Sequence, residues 1–171
     1  MVVGRCEKTA LGMQSSPNTI VVAFEPRYAA AFKALNEAWI TSHFVIEPKD
    51  RAVLDDPQGK IIAQGGHIFI AISNGLAVGC CALIAMPDGG YELAKMAVDE
   101  EVRGSGLGRA LMEAALAWAR AAGAPRLYLE SNTALPPALA LYRSVGFVDV
   151  PKERRPPKAY ARVNVWMELI F

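Results

Sequence analysis

Three glycines lie close together in a short segment between a predicted strand and a predicted helix. The segment, residues 103–108, reads Arg-Gly-Ser-Gly-Leu-Gly. The apolar stretch Tyr91–Val98 precedes it, and apolar residues at helical spacing follow it. A strand, a glycine-rich turn and a helix N-terminus together present free backbone N–H groups and the positive end of a helix dipole. The segment therefore predicts a binding site for a pyrophosphate group.

Two common phosphate-binding motifs fit this segment poorly. A Walker A motif needs Gly-Lys followed by Ser or Thr, and these residues are missing here. A dinucleotide-binding fingerprint needs its third glycine where Arg109 stands, and it normally begins a run of βαβ units. A strand-to-helix turn without a ligand stays open as an alternative, as does a nucleotide-binding regulatory domain.

The elements around this loop predict a mixed α/β (α+β) fold. Strands are expected at Ile20–Phe24, His67–Ile72, Leu76–Met86, Tyr91–Val98, Arg126–Leu129, Phe147–Val150 and Val163–Leu169. Helices are expected from Pro26 to about Ser42, over Pro48–Leu54, from the glycine loop to Gly123, and from Pro136 or Pro137 to about Val145. An antiparallel run followed by one βαβ crossover predicts a mostly antiparallel sheet with helices on both faces.

The composition is that of one globular domain. The 171 residues are 53% hydrophobic and 20% charged, so a core of ordinary size can form. Residues 1–18 show no clean hydrophobic period and are expected to form a poorly anchored segment ahead of a single domain over residues 19–171. The net charge of +1 does not indicate a nucleic-acid partner. No apolar run reaches the ~20 residues of a membrane span, so no membrane association is expected.

The histidines and cysteines predict neither a metal site nor a disulfide framework. His43 and His67 are far apart in the sequence and have no partner at the spacing of metal ligands. Cys80 and Cys81 are adjacent, so on a strand their side chains point to opposite faces. We therefore expect no metal ion and a reducing, cytoplasmic location.

Two separate segments together resemble a known family. Residues 103–108 match the Arg-x-x-Gly-x-Gly pyrophosphate loop of the GNAT family of acetyl-CoA-dependent N-acetyltransferases, and Ala138–Phe147 matches its Ala-x-x-Leu-Tyr-x-x-x-Gly-Phe segment. The resemblance covers about residues 20 to 170, since the predicted element order is also the family's. It implies the acyl-CoA N-acyltransferase fold, acetyl-CoA as cosubstrate, and direct transfer to a primary amine of a small molecule or peptide in a ternary complex. A non-catalytic acetyl-CoA-binding module is the alternative.

The resemblance also implies which residues hold the cofactor. The CoA pyrophosphate would bind the loop formed by Arg103, Gly104, Ser105, Gly106, Leu107, Gly108 and Arg109. The strand ending at Val98 would diverge from the next parallel strand, so that Met96, Ala97 and Val98 bind the pantetheine arm like an added strand. The Met96 amide would also donate to the thioester oxygen, where negative charge develops. Asn132 is a further candidate for CoA binding, although it lies six residues before Ala138 where the family often has three.

Two side chains are candidates for proton transfer. Tyr142 matches the family's tyrosine near the CoA sulfur, and a phenol can donate a proton to the leaving thiolate; a core tyrosine is the alternative. Glu92 lies on the strand of Met96 and, with a period of two, is expected to share its face. It is therefore the first candidate for the base that takes a proton from the amine, with Glu130 or a water molecule as alternatives.

The acceptor side is expected to be built from the first helices and the loop before the last strand. Candidates to line it are Asn36, Glu37, Trp39 and His43. In the basic loop 152–158, Arg154 and Arg155 are either solvated or bind a carboxylate or phosphate of the acceptor. The long last strand leaves an open edge, which allows a homodimer.

Overall fold

The computed structural model describes residues 19–171, and the predicted segment 1–18 lies outside them. A seven-stranded sheet runs through this part of the chain in the order β1-β2-β3-β4-β5-β7-β6. The strands are β1 (Thr19–Ala23), β2 (His67–Ser73), β3 (Leu76–Ala85), β4 (Tyr91–Val98), β5 (Arg126–Ser131), β6 (Val148–Asp149) and β7 (Val165–Ile170). The helices are α1 (Ala29–His43), α2 (Pro48–Asp55), α3 (Pro57–Lys60), α4 (Leu107–Ala121) and α5 (Pro136–Ser144).

The pairing of the strands confirms the predicted mixed sheet. Strands β1 to β4 form an antiparallel meander, and β4 pairs with β5 in parallel after the crossover through α4. Strand β7 lies between β5 and β6 and is antiparallel to both. The architecture is therefore an α/β fold whose sheet is mostly antiparallel, as expected.

Two hydrophobic cores cover the two faces of the sheet. On one face α4 packs through Leu111 and Met112, which are fully buried against residues such as Cys81 and Leu93. On the other face α1 packs through Phe32 against Cys80 and its neighbours. The adjacent cysteines thus point to opposite faces, as predicted, because successive side chains alternate along a strand.

Strands β4 and β5 separate soon after they meet. Only two pairs join them, Tyr91 with Leu127 and Glu92 with Tyr128. Further along β4, the register with β3 shifts between Cys80 and Ala82, and Lys95 has a φ of +52°. A bulge of this kind bends a strand and changes its twist. The result is a cleft beside the second half of β4, from Leu93 to Val98.

The element bounds differ from the predicted ones at a few places. The first helix begins with a 3-10 turn at Pro26–Tyr28 before α1. The turn predicted after α2 contains the short helix α3, because the Asp56 carboxylate accepts a hydrogen bond from the Gly59 amide and so caps a new helical turn. The last strand begins at Val165, two residues later than predicted, and β6 is only two residues long.

Two kinds of feature are absent among residues 19–171. No helix there is long and apolar enough to cross a membrane. No group of three or more histidine, cysteine, aspartate or glutamate side chains is arranged to hold a metal ion.

Candidate active site

The glycine loop leaves β4 and turns into α4 through two left-handed residues. Gly104 has a φ of +79° and Gly106 a φ of +86°, and no other residue lies within 4 Å of a Cβ built at either position. Glycine adopts this conformation at no steric cost, whereas other residues are strained there. The two glycines are therefore required by the backbone and not by lack of space.

The loop leaves several backbone N–H groups without an acceptor. Helix α4 starts at Leu107, and its first internal hydrogen bond runs from the Ala110 amide to the Gly106 carbonyl. Within residues 19–171 the amides of Leu107, Gly108 and Arg109 have no acceptor. These donors at the positive end of a 15-residue helix form a ready site for an anion.

The two arginines of the loop have different surroundings. Arg103 is exposed; its guanidinium pairs with Glu100 at 3.0 Å, and its Nε donates to the Val98 carbonyl at 3.4 Å. Arg109 instead donates to the Ser144 hydroxyl at 2.9 Å, at the end of α5. The guanidinium of Arg103 therefore stays near the loop, whereas that of Arg109 ties α4 to α5.

Two cavities follow the cleft beside β4. The first, which we call the loop-side groove, runs from the glycine loop between β4 and α5 and is lined by Trp39, Met96, Ala97, Val98, Arg103, Pro137, Ala138, Leu141 and Tyr142. The second, the inner cavity, lies between α1, β4, β5 and the loop before β7; its polar lining is Asn36, Glu92, Lys95, Glu130, Ser131, Asn132, Tyr142, Tyr160 and Arg162. Trp39, Met96 and Tyr142 line both, so the two cavities meet there.

The bulge in β4 places Glu92 on a different face of the sheet from the one predicted. Met96 and Val98 pack on the α4 side of the sheet together with Leu93. Glu92 is paired with Ile84, which packs on the α1 side, so Glu92 lies on the opposite face from Met96. The prediction of a shared face was wrong because one extra residue at the bulge reverses the alternation along the strand.

Glu92 is a half-buried carboxyl group without a partner. Within the described residues it forms no hydrogen bond and no ion pair. Burial raises the pKa of Glu92, and the nearby charge of Glu130 raises it further. Glu130, in contrast, is fixed by two donors, the Tyr128 hydroxyl at 3.0 Å and the Ala159 amide at 2.9 Å. Of the two carboxylates, Glu92 is the one free to accept a proton.

Tyr142 lies where the two cavities meet. Its ring contacts Phe147, with ring centroids 6.0 Å apart, and its hydroxyl has no hydrogen-bond partner among residues 19–171. Burial, and to a smaller extent Cys81, raises the pKa of Tyr142 to about 12. The phenol is therefore protonated at neutral pH and has a free O–H donor.

Asn132 is at the end of β5 and lines the inner cavity, although its side chain is already engaged. Its Oδ1 accepts from the Ala134 amide at 2.7 Å, and its Nδ2 donates to the Arg162 carbonyl. The amide group thus fixes the turn before α5 and the loop before β7. Its predicted contact with CoA stays a prediction.

A buried ion network that was not predicted from the sequence lies behind the inner cavity. Asp50 on α2 has a side chain that is 0% exposed, and it accepts hydrogen bonds from Lys95 at 2.7 Å and from both terminal nitrogens of Arg162 at 2.8 Å. Lys95 also donates to the Tyr160 hydroxyl at 3.0 Å. A lysine in the middle of an apolar strand was the one signal in the sequence, because such a charge needs a buried partner.

The two arginines predicted to be either solvated or acceptor-binding do not line either cavity. Arg154 pairs with Glu168 of β7, and Arg155 donates to the Val150 carbonyl at 2.8 Å. Of the candidates on α1, Asn36 and Trp39 line the inner cavity, whereas Glu37 and His43 do not. The loop before β7 contributes Tyr160 and Arg162 instead, two residues that were not predicted.

The sequence of this chain has recognisable relatives. Residues 29–147 match the profile of the family described as "Acetyltransferase (GNAT) family". An IAA acetyltransferase of Azospirillum brasilense is 41% identical over 84 residues, 48% of this chain and 55% of that protein. The N-alpha-acetyltransferase RimI of Mycobacterium tuberculosis is 39% identical over 108 residues, 61% of this chain and 64% of that protein. The chain therefore spans less than two thirds of the length of either relative.

Solved structures have the same fold. An acetyltransferase of GNAT family from Staphylococcus aureus Mu50 superposes with a TM-score of 0.80 at 20% identity, covering 88% of this chain and 97% of the other. The protein yncA of Salmonella typhimurium, solved with its cofactor acetyl-CoA, gives a TM-score of 0.69 at 19% identity, covering 90% and 94%. At these identities the similarity concerns the fold.

Proposed function

Because the chain belongs to the acetyltransferase (GNAT) family, we propose that it transfers the acetyl group of acetyl-CoA to a primary amine of a small molecule or peptide, by direct attack in a ternary complex. The observation that supports this most is the meeting of two cavities at Met96 and Tyr142. One cavity leads to the anion-binding loop and the other to Glu92. A thioester carbon placed where they meet is reachable by an amine from the inner cavity.

In this proposal the backbone holds the cofactor. The CoA pyrophosphate binds the free amides of Leu107, Gly108 and Arg109, with the exposed Arg103 beside them. The pantetheine arm lies in the loop-side groove along residues 93–98 of β4, which have no strand partner on the β5 side. A ligand with amide groups can add there as an extra strand.

The proposed transfer uses three groups of this chain. The amine nitrogen attacks the thioester carbon, and the Met96 amide donates to the oxygen that becomes negative. Glu92, directly or through water, takes the proton that the amine loses. The C–S bond then breaks, and the Tyr142 hydroxyl protonates the sulfur to give free CoA. Glu92 is preferred to Glu130 as the base because Glu130 already accepts hydrogen bonds from Tyr128 and Ala159.

Binding and turnover together test the proposal. Thermal shifts measured with CoA, acetyl-CoA, ATP and NAD should be largest for the CoA compounds, because ligands that bind the native state stabilise it. Release of free CoA thiol should then follow when amines are added, including small amines and peptides with a free N-terminus. A larger shift with ATP or NAD would support a nucleotide-binding regulatory domain. CoA binding without thiol release would support a non-catalytic module.

The role of Glu92 has its own pH signature. A base works in its deprotonated form, so kcat/KM should fall as the pH drops through the pKa of Glu92, and its raised pKa puts this fall above the ordinary range of a carboxylate. Glu92→Gln should lower kcat by about 100-fold and remove this limb of the pH profile. An unchanged profile in the variant would leave water or Glu130 as the base.

Location and assembly stay predictions. We propose a cytoplasmic enzyme, in keeping with Cys80 and Cys81, which are buried free thiols. The homodimer was predicted from an open edge at the last strand, and that premise was wrong, because β7 lies between β5 and β6. The homodimer itself stays a prediction.

A further inference from the structure

The positive charges of the inner cavity are already neutralised. Lys95, with 4% of its side chain exposed, pairs with Asp50 and donates to the Tyr160 hydroxyl. Arg162 forms a two-pronged pair with the same carboxylate and a weaker one with Glu47 at 3.3 Å. Neither Asp50 nor Glu47 lines the cavity. Both cations line the cavity, but their charges are already paired with carboxylates behind the wall.

The negative charges of the same cavity have no cationic partner. Glu92 has no partner in the described part of the chain, and the two donors to Glu130 are a phenol and an amide, both neutral. Two cations act on Glu92 without contacting it: Lys95, whose charge Asp50 already pairs, and Lys49, which is exposed on α2 and lies over the Tyr160 ring at 5.1 Å. Because Lys49 faces water, its charge is screened. The cavity therefore carries an excess of negative charge.

The wall also offers apolar surface, including four aromatic rings. These rings belong to Trp39, Phe44, Tyr142 and Tyr160. Flat apolar walls favour a flat apolar ligand, since burial of its surface is the main attraction they offer.

From these observations we propose that the acceptor is a primary amine attached to an aromatic or apolar group and without a free carboxylate near the amine. This inference rests on the proposed function and names its acceptor class. A protonated amine is attracted by Glu92 and Glu130 before it loses its proton, whereas a carboxylate beside it meets two like charges. Placing like charges together in a partly dry site is strongly unfavourable. Small arylalkylamines and peptides with an aromatic N-terminal residue share this chemistry.

Matched acceptors with one phenyl group test the proposal. Phenethylamine and phenylalanine differ in the carboxylate, and phenylalanyl-glycinamide carries the same side chain as a peptide N-terminus with no free carboxylate nearby. For each acceptor we compare the pH-independent plateau of kcat/KM, taken from a full pH profile. This comparison removes the effect of differences in amine basicity. We expect the carboxylate-free acceptors to exceed phenylalanine by about 100-fold. Ethanolamine, which lacks the apolar group, should be as poor as phenylalanine. A higher value for the peptide than for phenethylamine would indicate peptides as the source of the amine.

A single substitution shows whether the negative charge causes this selectivity. Glu130→Gln removes one charge and keeps an oxygen acceptor, so the preference for phenethylamine over phenylalanine should fall by about 10-fold. Glu113→Gln, on the exposed side of α4, changes the net charge equally and should leave the preference unchanged.

Different results would contradict the proposed acceptor class and the proposed acetyltransferase function. Thiol release with phenylalanine as fast as with phenethylamine would overturn the acceptor class while leaving the acetyltransferase function intact. An unchanged preference in Glu130→Gln would also overturn it, because the charge would then not be the cause. Absence of thiol release with every amine would overturn the proposed function itself.

Discussion

The loop-side groove and the inner cavity share Trp39, Met96 and Tyr142, but they present different kinds of group to a ligand. The groove presents backbone groups from one continuous stretch, residues 93–109, and the unpartnered donors lie on consecutive residues at the start of α4. The inner cavity presents side chains from α1, β4, β5 and the loop before β7. The first binding surface therefore depends on local conformation, and the second depends on how distant segments pack.

This difference separates the binding features that many sequences can supply from those that are particular to this chain. A pyrophosphate needs only N–H donors and a helix dipole, and many sequences supply these as long as glycine stands at the left-handed positions. An acceptor is selected by charge and shape, which change with every side chain in the wall. The groove is thus the part expected to behave like other members of the family, and the inner cavity is the part that distinguishes this chain.

Tyr142 offers the sharpest test, because it belongs to both regions. Tyr142→Phe removes the hydroxyl and keeps the ring, so we expect kcat to fall by about 1,000-fold with little change in the KM for acetyl-CoA. Steady-state kinetics of thiol release measures both constants. Tyr91→Phe on β4 is the matched control, since Tyr91 lines neither cavity and its change should leave kcat within about twofold. If the variant raised the KM for acetyl-CoA and kept kcat, Tyr142 would only line the groove and would not act as the proton donor.

Asp50 tests whether the inner cavity depends on the network behind it. Asp50→Asn leaves Lys95 and Arg162 buried without their shared carboxylate, so the free energy of unfolding should fall by about 3 kcal/mol. For a chain of this size that lowers the melting temperature by about 10 °C, measurable by calorimetry. Asp55→Asn is the control on the same helix, because Asp55 pairs with Lys33 at the surface and should change stability by less than about 1 kcal/mol.

The pH dependence of stability provides a second measurement on Asp50. Burial opposes ionisation of this group, but hydrogen bonds from Arg162 and Lys95 outweigh it and lower its pKa from 3.8 to about 2. A carboxylate with a lowered pKa in the folded state stabilises the fold above pH 4, and this contribution is lost as the pH falls towards 2. The native chain should lose stability in this window more steeply than Asp50→Asn. Equal slopes would contradict a role for the charged network.

The sequence predicted the groove better than the inner cavity for a physical reason. Gly104 and Gly106 mark a left-handed turn, and their neighbours in the chain are also their neighbours in the site. The network around Asp50 joins residues 112 positions apart, Asp50 and Arg162, and no local pattern in either segment indicates the other. A pair of this kind becomes visible only when α2 and the loop before β7 are packed together.

The bulge at Lys95 shows how one residue changes a prediction. Counting every second residue along Tyr91–Val98 puts Glu92 and Met96 on one face, and the stretch contains no glycine or proline to indicate an irregularity. The left-handed conformation of Lys95 reverses the alternation, and the buried Asp50 holds the lysine that adopts it. The predicted bounds of β4 were therefore right, and the predicted shared face of Glu92 and Met96 was wrong.

A glycine substitution measures how far the groove depends on backbone conformation alone. Gly106→Ala should cost about 1 kcal/mol of stability, because its φ of +86° is strained for alanine although there is space for the methyl group. Gly123→Ala, at the end of α4, has a φ of +70° and equally open space, so it should cost a similar amount. Only Gly106→Ala should weaken CoA binding, by about 5-fold in a calorimetric titration, since the donors of Leu107 and Gly108 would shift. Equal affinity in both variants would show that the loop tolerates another conformation.

The smallest expected effect concerns the basic loop beside the inner cavity. Arg154 is occupied by Glu168, and Arg155 by the Val150 carbonyl and the face of the Trp166 ring at 5.3 Å. The double variant Arg154→Ala with Arg155→Ala should therefore leave the acceptor KM unchanged within about twofold, although Glu168 loses one of its two arginine partners. A rise of tenfold or more in the KM for phenethylamine, measured by thiol release, would extend the acceptor site into this loop. It would then show that the inner cavity does not end at Arg162.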